Sequence, residues 1–230
     1  MKTFYLVGDH PNLPILEKAL KEHFKKSKRK PDFVVCVGGH GTLFEIEKEY
    51  STIPKLFLRH PALNEEEIPR IVEKLKNKEF EIKEHPKLTA SVGKNIITAM
   101  NDVVIHCKHP EAIRLQLFVN GKPLFVDESG KPKTIIGDGV VIASPYGSTG
   151  YFYSIARKII KPGWIGIAIN NPVENIEKSV FLPKNSVISV LIERGPGTMF
   201  HDSSKKAINL KTGSMIELKV GENARLIQLK

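Results

Sequence analysis

The chain has 230 residues, 41% hydrophobic and 26% charged, enough to bury one large core or two small ones. A formal net charge of +10 favours anionic partners, which range from nucleic acid and acidic lipid to phosphorylated metabolites. No uninterrupted apolar run approaches membrane-spanning length, and the first residues reach Gly8 and Asp9 too soon for a signal peptide. A cytoplasmic protein with no membrane partner is the expectation.

Residues 4–7 form a short apolar run closed by Gly8-Asp9-His10-Pro11. A helical pattern follows, with Leu16, Ala19, Leu20 and Phe24 on one face. The dense cluster Lys25-Lys26-Ser27-Lys28-Arg29-Lys30 falls at the end of that predicted helix, where cations oppose the negative end of its dipole. No aromatic side chains interleave with the cluster, so a nucleic-acid arm is the weaker reading. Residues 33–37 read as a strand of the kind found in parallel sheets covered on both faces. They run into Gly38-Gly39-His40-Gly41-Thr42 and then a predicted helix from Leu43 to about Tyr50. Residues 55–58 predict a third strand. Asn64 then caps a helix, with Glu67 placed to reach back and Ile68, Ile71, Val72 and Leu75 as its apolar face.

From about Phe80 the pattern becomes β-rich. Residues 113–119 and 122–126 flank Asn120-Gly121, a tight-hairpin signal because both turn positions favour positive φ. Further strands are expected over 140–142, 165–169, 187–192 and 215–220. The fold class read from this order is a small open α/β N-terminal domain, 1–80, followed by a mostly β C-terminal domain, 81–230. The extreme C-terminus is free to return to the first domain. Cys36 and Cys107 lie inside apolar runs without metal-ligand spacing, which favours two buried small hydrophobes over a disulfide or zinc framework.

Three stretches carry chemistry. The glycines at 38, 39 and 41, between a buried strand and a helix, allow close backbone approach to phosphate at a positive helix end. A tight strand-to-helix turn is the bland alternative, and no Walker Lys follows. Gly137-Asp138-Gly139 and Ser144-Pro145-Tyr146-Gly147-Ser148-Thr149-Gly150-Tyr151 offer a carboxylate, hydroxyls at Ser148, Thr149 and Tyr151, and an aromatic ring for sugar hydroxyls and a base. Asn101-Asp102, ahead of an apolar strand, offers an amide and a carboxylate for a ribose or adenine edge, or is simply that strand's turn.

Together these stretches resemble the NAD kinase family in order and approximate spacing. Gly38-Gly39-His40-Gly41-Thr42 is similar to the family's Gly-Gly-Asp-Gly-Thr signature, and Asn101-Asp102 to its Asn-Glu/Asp dyad. Asp138-Gly139 and the stretch from Ser144 to Tyr151 resemble its later motif, as do Asn170-Asn171-Pro172-Val173, Phe181-Leu182-Pro183 and Asp202. The resemblance implies phosphoryl transfer from ATP or polyphosphate to the adenosine 2′-hydroxyl of NAD, giving NADP, with a divalent cation, Mg²⁺ by preference. It implies that Gly38, Gly39, Gly41 and Thr42 cradle phosphate, and that Asn101, Asp102, Asp138, Ser148, Thr149, Tyr151, Ser154 and Asp202 hold the dinucleotide. Homodimers or homotetramers are implied as well, and the basic cluster's composition leaves no nucleic-acid partner expected.

The chain also departs from the family pattern. His40 stands where the family has its reacting Asp. A neutral imidazole with an ordinary pKa of about 6.5 can accept a proton, so His40 is the candidate catalytic residue. Nearby phosphates would raise that pKa and weaken the base, and imidazole is a poor Mg²⁺ ligand. Leu58-Arg59-His60-Pro61 lacks the family's Gly-rich turn, and Arg157 adds a cation after Ser154. Two alternatives therefore stand beside an NAD kinase. One is a related phosphotransferase with a different hydroxyl substrate; the other is a catalytically inactive NAD/NADP-binding protein.

Overall fold

The computed structural model describes every residue except Pro61, Ala62 and Ser203. It divides into two compact units, Met1–His85 with Asn223–Lys230, and Pro86–Glu222.

In the first unit the strands are β1 (Thr3–Gly8), β2 (Lys25–Lys26), β3 (Phe33–Gly38) and β4 (Lys55–Arg59). The helices are α1 (Leu13–Lys21), α2 (His40–Glu49) and α3 (Glu67–Asn77). The strands pair in parallel in the order β2-β1-β3-β4, and the chain end returns beside β4 through Leu226 and Ile227. Every residue of β3 is buried. Phe33, Val35 and Val37 pack with Leu16 and Leu20 of α1 and Ile68, Ile71, Val72 and Leu75 of α3, while α2 also packs on β3. Each fully buried aliphatic side chain contributes on the order of 2 kcal/mol, so α3 is held by its apolar stripe more than by helix propensity.

Three local expectations change. The basic cluster does not end a helix: α1 stops at Lys21 and Lys25–Lys26 add a short strand beside β1. The second helix begins at His40 rather than Leu43, which puts the imidazole in its first turn. Asn64 does accept the Glu67 N–H at 2.8 Å, but the Glu67 carboxylate lies 3.9 Å from Arg70 instead of reaching back.

The second unit is built of strands with a single α-helix among its described residues. Strand β5 (Phe80–Val92) enters it and turns back as β6 (Asn95–Ala99). Then come β7 (Asp102–Cys107), β8 (Ile113–Val119), β9 (Lys122–Pro123), β10 (Ile135–Gly137) and β11 (Gly139–Ala143). A 3₁₀ turn (Tyr146–Thr149) leads into α4 (Tyr151–Ala156). The remaining strands are β12 (Trp164–Asn170), β13 (Ser179–Pro183), β14 (Ile188–Arg194), β15 (Gly197–His201), β16 (Ile208–Leu210) and β17 (Met215–Leu229).

Strands β13-β12-β11-β7-β15-β16 form one antiparallel sheet. Strands β10, β8, β14 and the first half of β17 form the ladder opposite it. Their inner faces share one core, with Leu115, Leu117, Val190 and Ile216 from one side and Val103, Ile105, Val140 and Ile167 from the other. The outer face of the first sheet is covered by α4, where Phe152 packs with Val141, Ala143 and Ala168. Asn120 and Gly121 take φ of 50° and 77°, the hairpin expected, although its second strand is only β9. The fold class expected from the sequence is the one observed.

Candidate functional site

In a parallel sheet the carboxyl ends of the strands gather on one edge, where ligands bind in open α/β folds. In the first unit that edge carries Gly8-Asp9-His10 after β1, Gly38-Gly39-His40 after β3, and Arg59-His60 at the end of β4. Gly38 has φ 147°, and a Cβ there would meet Thr42 Oγ1 at 2.8 Å. A side chain is therefore excluded both by conformation and by the first turn of α2. Gly39 and Gly41 differ: a Cβ on either meets nothing within 4 Å, so open space lies beside the loop backbone. The helix starts without a side-chain cap, leaving first-turn amides and the positive dipole end for an anion.

His40 is half-buried between Phe44, stacked at 5.9 Å, and Phe57 at 5.5 Å. Its Nε2 lies 3.0 Å from Arg59 Nη2. Guanidinium only donates, so Nε2 is the acceptor and the imidazole is neutral. Burial first, and the Arg59 charge second, hold its pKa below the ordinary histidine value. The proton-accepting position expected from the sequence is thus already occupied by Arg59. Pro61, the last residue of the unusual stretch after β4, lies outside the described residues.

In the second unit, antiparallel register brings the dyad together with Asp202. Ala143 pairs with Asp102 and His201 with Val103, which sets Asp202 beside the start of β7. The Asp202 carboxylate accepts the N–H groups of Met100 and Asn101, each at 2.6 Å. It therefore holds the backbone that presents the dyad. Ser144 donates to the Met100 carbonyl and accepts from the Tyr146 N–H. Gly147 lies against Asn101 so closely that a Cβ would meet the Asn101 carbonyl oxygen at 2.2 Å. Asp102 is buried, and burial, reinforced by the Asp202 charge, raises its carboxyl to about 7.

Tyr151 opens α4, is 39% exposed, and accepts a hydrogen bond from Asn170 Nδ2 at 3.0 Å. Burial, then Asp138 and Asp102, raise its phenol pKa, so both carboxylates act on one ring. Asn171 Nδ2 donates to Asp138 at 3.3 Å. Asp138 also borders a cleft of about 510 Å³ lined by His106, Cys107 and the 108–112 turn. Cys107 is half-buried there with its sulfur 3.1 Å from His106 Nδ1, not the buried hydrophobe expected; Cys36 is fully buried.

Of the remaining predicted residues, Thr149 is exposed beside Tyr151. Ser148 is only 3% exposed, so its hydroxyl faces inward. Ser154 Oγ donates to the Tyr151 carbonyl at 2.7 Å, closing the helix on itself. Arg157 ends α4 with φ 53° and places its guanidinium over the Tyr153 ring at 5.7 Å. Arg59 in the first unit and, in the second, Asn170 and Asn171, quoted for the resemblance but given no role, each contact a candidate residue of their own unit. Each terminates or follows a strand next to a glycine turn, and strand register is what reveals that.

Among the described residues, no group of three or more His, Cys, Asp or Glu side chains converges as a metal site. With His40 in place of a carboxylate, a protein-caged divalent ion does not fit this donor set. No helix among the described residues is long and apolar enough to cross a membrane.

A family model described as the ATP-NAD kinase C-terminal domain matches residues 100–229. An NAD kinase of Sulfurisphaera tokodaii is 32% identical over 179 residues, which cover 74% of this chain and 67% of that one. An NAD kinase of Thermomicrobium roseum is 25% identical over 213 residues, 86% of this chain and 71% of that one. Yeast NADH kinase complexed with NADH superposes with a TM-score of 0.81 at 17% identity, covering 100% of this chain and 84% of that one. An NAD kinase from Archaeoglobus fulgidus in complex with ATP gives 0.77 at 20%, covering 100% and 94%. At these identities the solved structures speak for the fold.

Proposed function

This chain belongs to the NAD kinase family, and we propose from that premise that it transfers the terminal phosphate of ATP to the adenosine 2′-hydroxyl of NAD. The observation that carries the reading is the cluster on the second unit: an exposed Tyr151 ring acted on by Asp102 and Asp138, beside Thr149 and Asn170. A ring, two carboxylates and amides in one place suit an adenine face and the hydroxyls of a ribose. On the first unit, the amides of the glycine loop and the positive end of α2 are the proposed seat for donor phosphates.

Phosphoryl transfer depends mainly on positioning and charge neutralisation. The bond from the γ-phosphorus to the 2′-oxygen forms as its bond to the bridging oxygen breaks, and the hydroxyl proton passes to water. His40 is not the acceptor of that proton in this proposal, because its Nε2 is engaged by Arg59; its part is to orient. Asp102 and Asp138 accept hydrogen bonds from ribose hydroxyls, and Asp202 keeps the dyad in place. A divalent cation bound to the nucleotide phosphates would supply charge neutralisation.

The engaged imidazole also favours a second reading, a protein that binds NAD or NADP without turnover. Wild type and His40→Asp incubated with NAD, ATP and Mg²⁺, with NADP followed enzymatically, separate the two. NADP formation by wild type is the expected result. Silence in wild type with turnover by His40→Asp selects the second reading, and silence in both without NAD binding overturns both.

A further inference from the structure

We propose that Arg59 is a positioning residue for His40: by donating to Nε2 it commits the ring to the neutral tautomer with its proton on Nδ1 and withdraws it from general-base work. The inference takes from the proposed function only the importance of the glycine loop, and its first readout needs no turnover.

The geometry follows from parallel register. Gly38, the last residue of β3, pairs with Arg59, the last of β4. The residue that closes one strand therefore lies alongside the turn that closes its neighbour. His40, two residues beyond Gly38, starts α2, and the 3.0 Å Nη2···Nε2 contact links the two loops. Protonating Nε2 would set two donors against each other and place a second positive charge beside Arg59.

Phe44 of α2 and Phe57 of β4 flank the ring, and neither titrates. Among the described residues, no carboxylate lies within ion-pair distance of Arg59. A guanidinium whose neighbour is a neutral imidazole keeps its full charge at the mouth of the loop, where an acidic residue at position 40 would neutralise it. The His-for-Asp exchange and Arg59 therefore form one unit rather than two independent changes.

The neighbouring histidine shows the same tactic with a different partner. His10 accepts the Asn12 N–H at Nδ1 at 3.1 Å and donates from Nε2 to the His60 carbonyl at 3.1 Å. That pairing fixes the opposite tautomer without a cation. His40 alone of the two is held by a guanidinium, so its state alone should change when Arg59 is replaced.

The test is ¹⁵N-resolved imidazole NMR on the full ligand-free chain across pH 5 to 8.5, a range of about two units around the ordinary histidine value. Wild type, Arg59→Met and Arg59→Lys are compared. His40 in wild type should show the Nδ1–H tautomer and titrate below the ordinary value of about 6.5. Arg59→Met should mix the tautomers and shift the titration upward, short of the ordinary value because burial remains. Arg59→Lys should keep the charge and restore the tautomer in part, while the His10 resonances stay unchanged in both variants. A wild-type His40 that titrates at or above the ordinary value, or an Arg59→Met spectrum matching wild type, overturns the proposal. NADP formation is then followed against pH: a wild-type profile flat through this range and a new acid limb in Arg59→Met are expected. Absence of any turnover would count against the proposed reaction while leaving the NMR result to decide the role of Arg59.

Discussion

Asp102 carries a strongly perturbed carboxyl, and its burial has a thermodynamic consequence. Its folded value of about 7 lies above the value of about 3.9 expected in the unfolded chain. Between those two values the folded state retains a proton that the unfolded state releases. Stability from this group is present below about pH 4 and declines as pH rises toward 7. Asp102→Asn removes the dependence. Urea unfolding of both proteins at pH 5 and pH 8 should show wild type losing on the order of 2 kcal/mol relative to the variant. Parallel pH dependences would mean that Asp102 ionises normally in the fold. At this scale it was the family resemblance that grouped Asn101, Asp102, Asp138, Thr149 and Tyr151, and the fold sets the Asp102 and Asp138 charges on the Tyr151 ring. The sequence does not show that Asp202 accepts the Met100 and Asn101 amides, that Ser148 is buried or that Ser154 bonds the Tyr151 carbonyl, since each depends on which neighbour the oxygen meets.

The glycines of the two motif loops serve different elements. Gly147 belongs to the 3₁₀ turn before α4, and a Cβ there would lie 2.2, 2.5 and 2.7 Å from the O, C and Cα of Asn101. All three are backbone atoms, so no side-chain movement relieves the clash. Gly147→Ala should cost about 1–3 kcal/mol and weaken calorimetric NAD binding, because the same shift displaces the dyad. Gly39→Ala is the contrast: its φ of −88° is ordinary and its Cβ meets nothing, so its unfolding midpoint should match wild type within about 0.5 kcal/mol. A Gly147→Ala protein as stable as Gly39→Ala and wild type would show that the turn accommodates a Cβ against Asn101. Periodicity and turn chemistry also decided which elements could be read in advance. The alternation of β1, α1, β3, α2, β4 and α3 was visible because each strand is a continuous apolar run and α3 has a clean stripe. Strands β6, β10, β13, β15 and β16 were not singled out because they are short, and for the sheet that holds β13, β15 and β16, α4 also buries part of the outer face. That cover replaces the alternation expected of an antiparallel strand with runs such as the fully buried β11.

Net charge of +10 is a property of the whole chain, but screening makes its position matter more than its sum. The densest cluster, Lys25 to Lys30, begins where Lys25 pairs with Thr3 at the amino edge of the first unit's sheet. Tyr50, which ends α2, donates to the Lys28 carbonyl at 3.0 Å. The cluster therefore faces the negative end of α2, with a full helix length between it and His40 at the other end. A ten-residue helix spans about 15 Å, against a Debye length of about 8 Å at physiological ionic strength. Glu17 further neutralises Lys26 at 2.8 Å. Arg59, by contrast, is an exposed cation beside the glycine loop. ATP affinity measured by calorimetry should therefore fall several-fold as salt rises from about 50 to about 200 mM, with a shallower slope for the less charged NAD. Arg59→Met should flatten the ATP slope. Lys28→Gln with Lys30→Gln should leave it nearly unchanged, although that double variant removes more charge. If the lysine variant flattened the slope as much as Arg59→Met, the donor phosphates would have to bind near the amino edge. The glycine loop would then lose its assigned role.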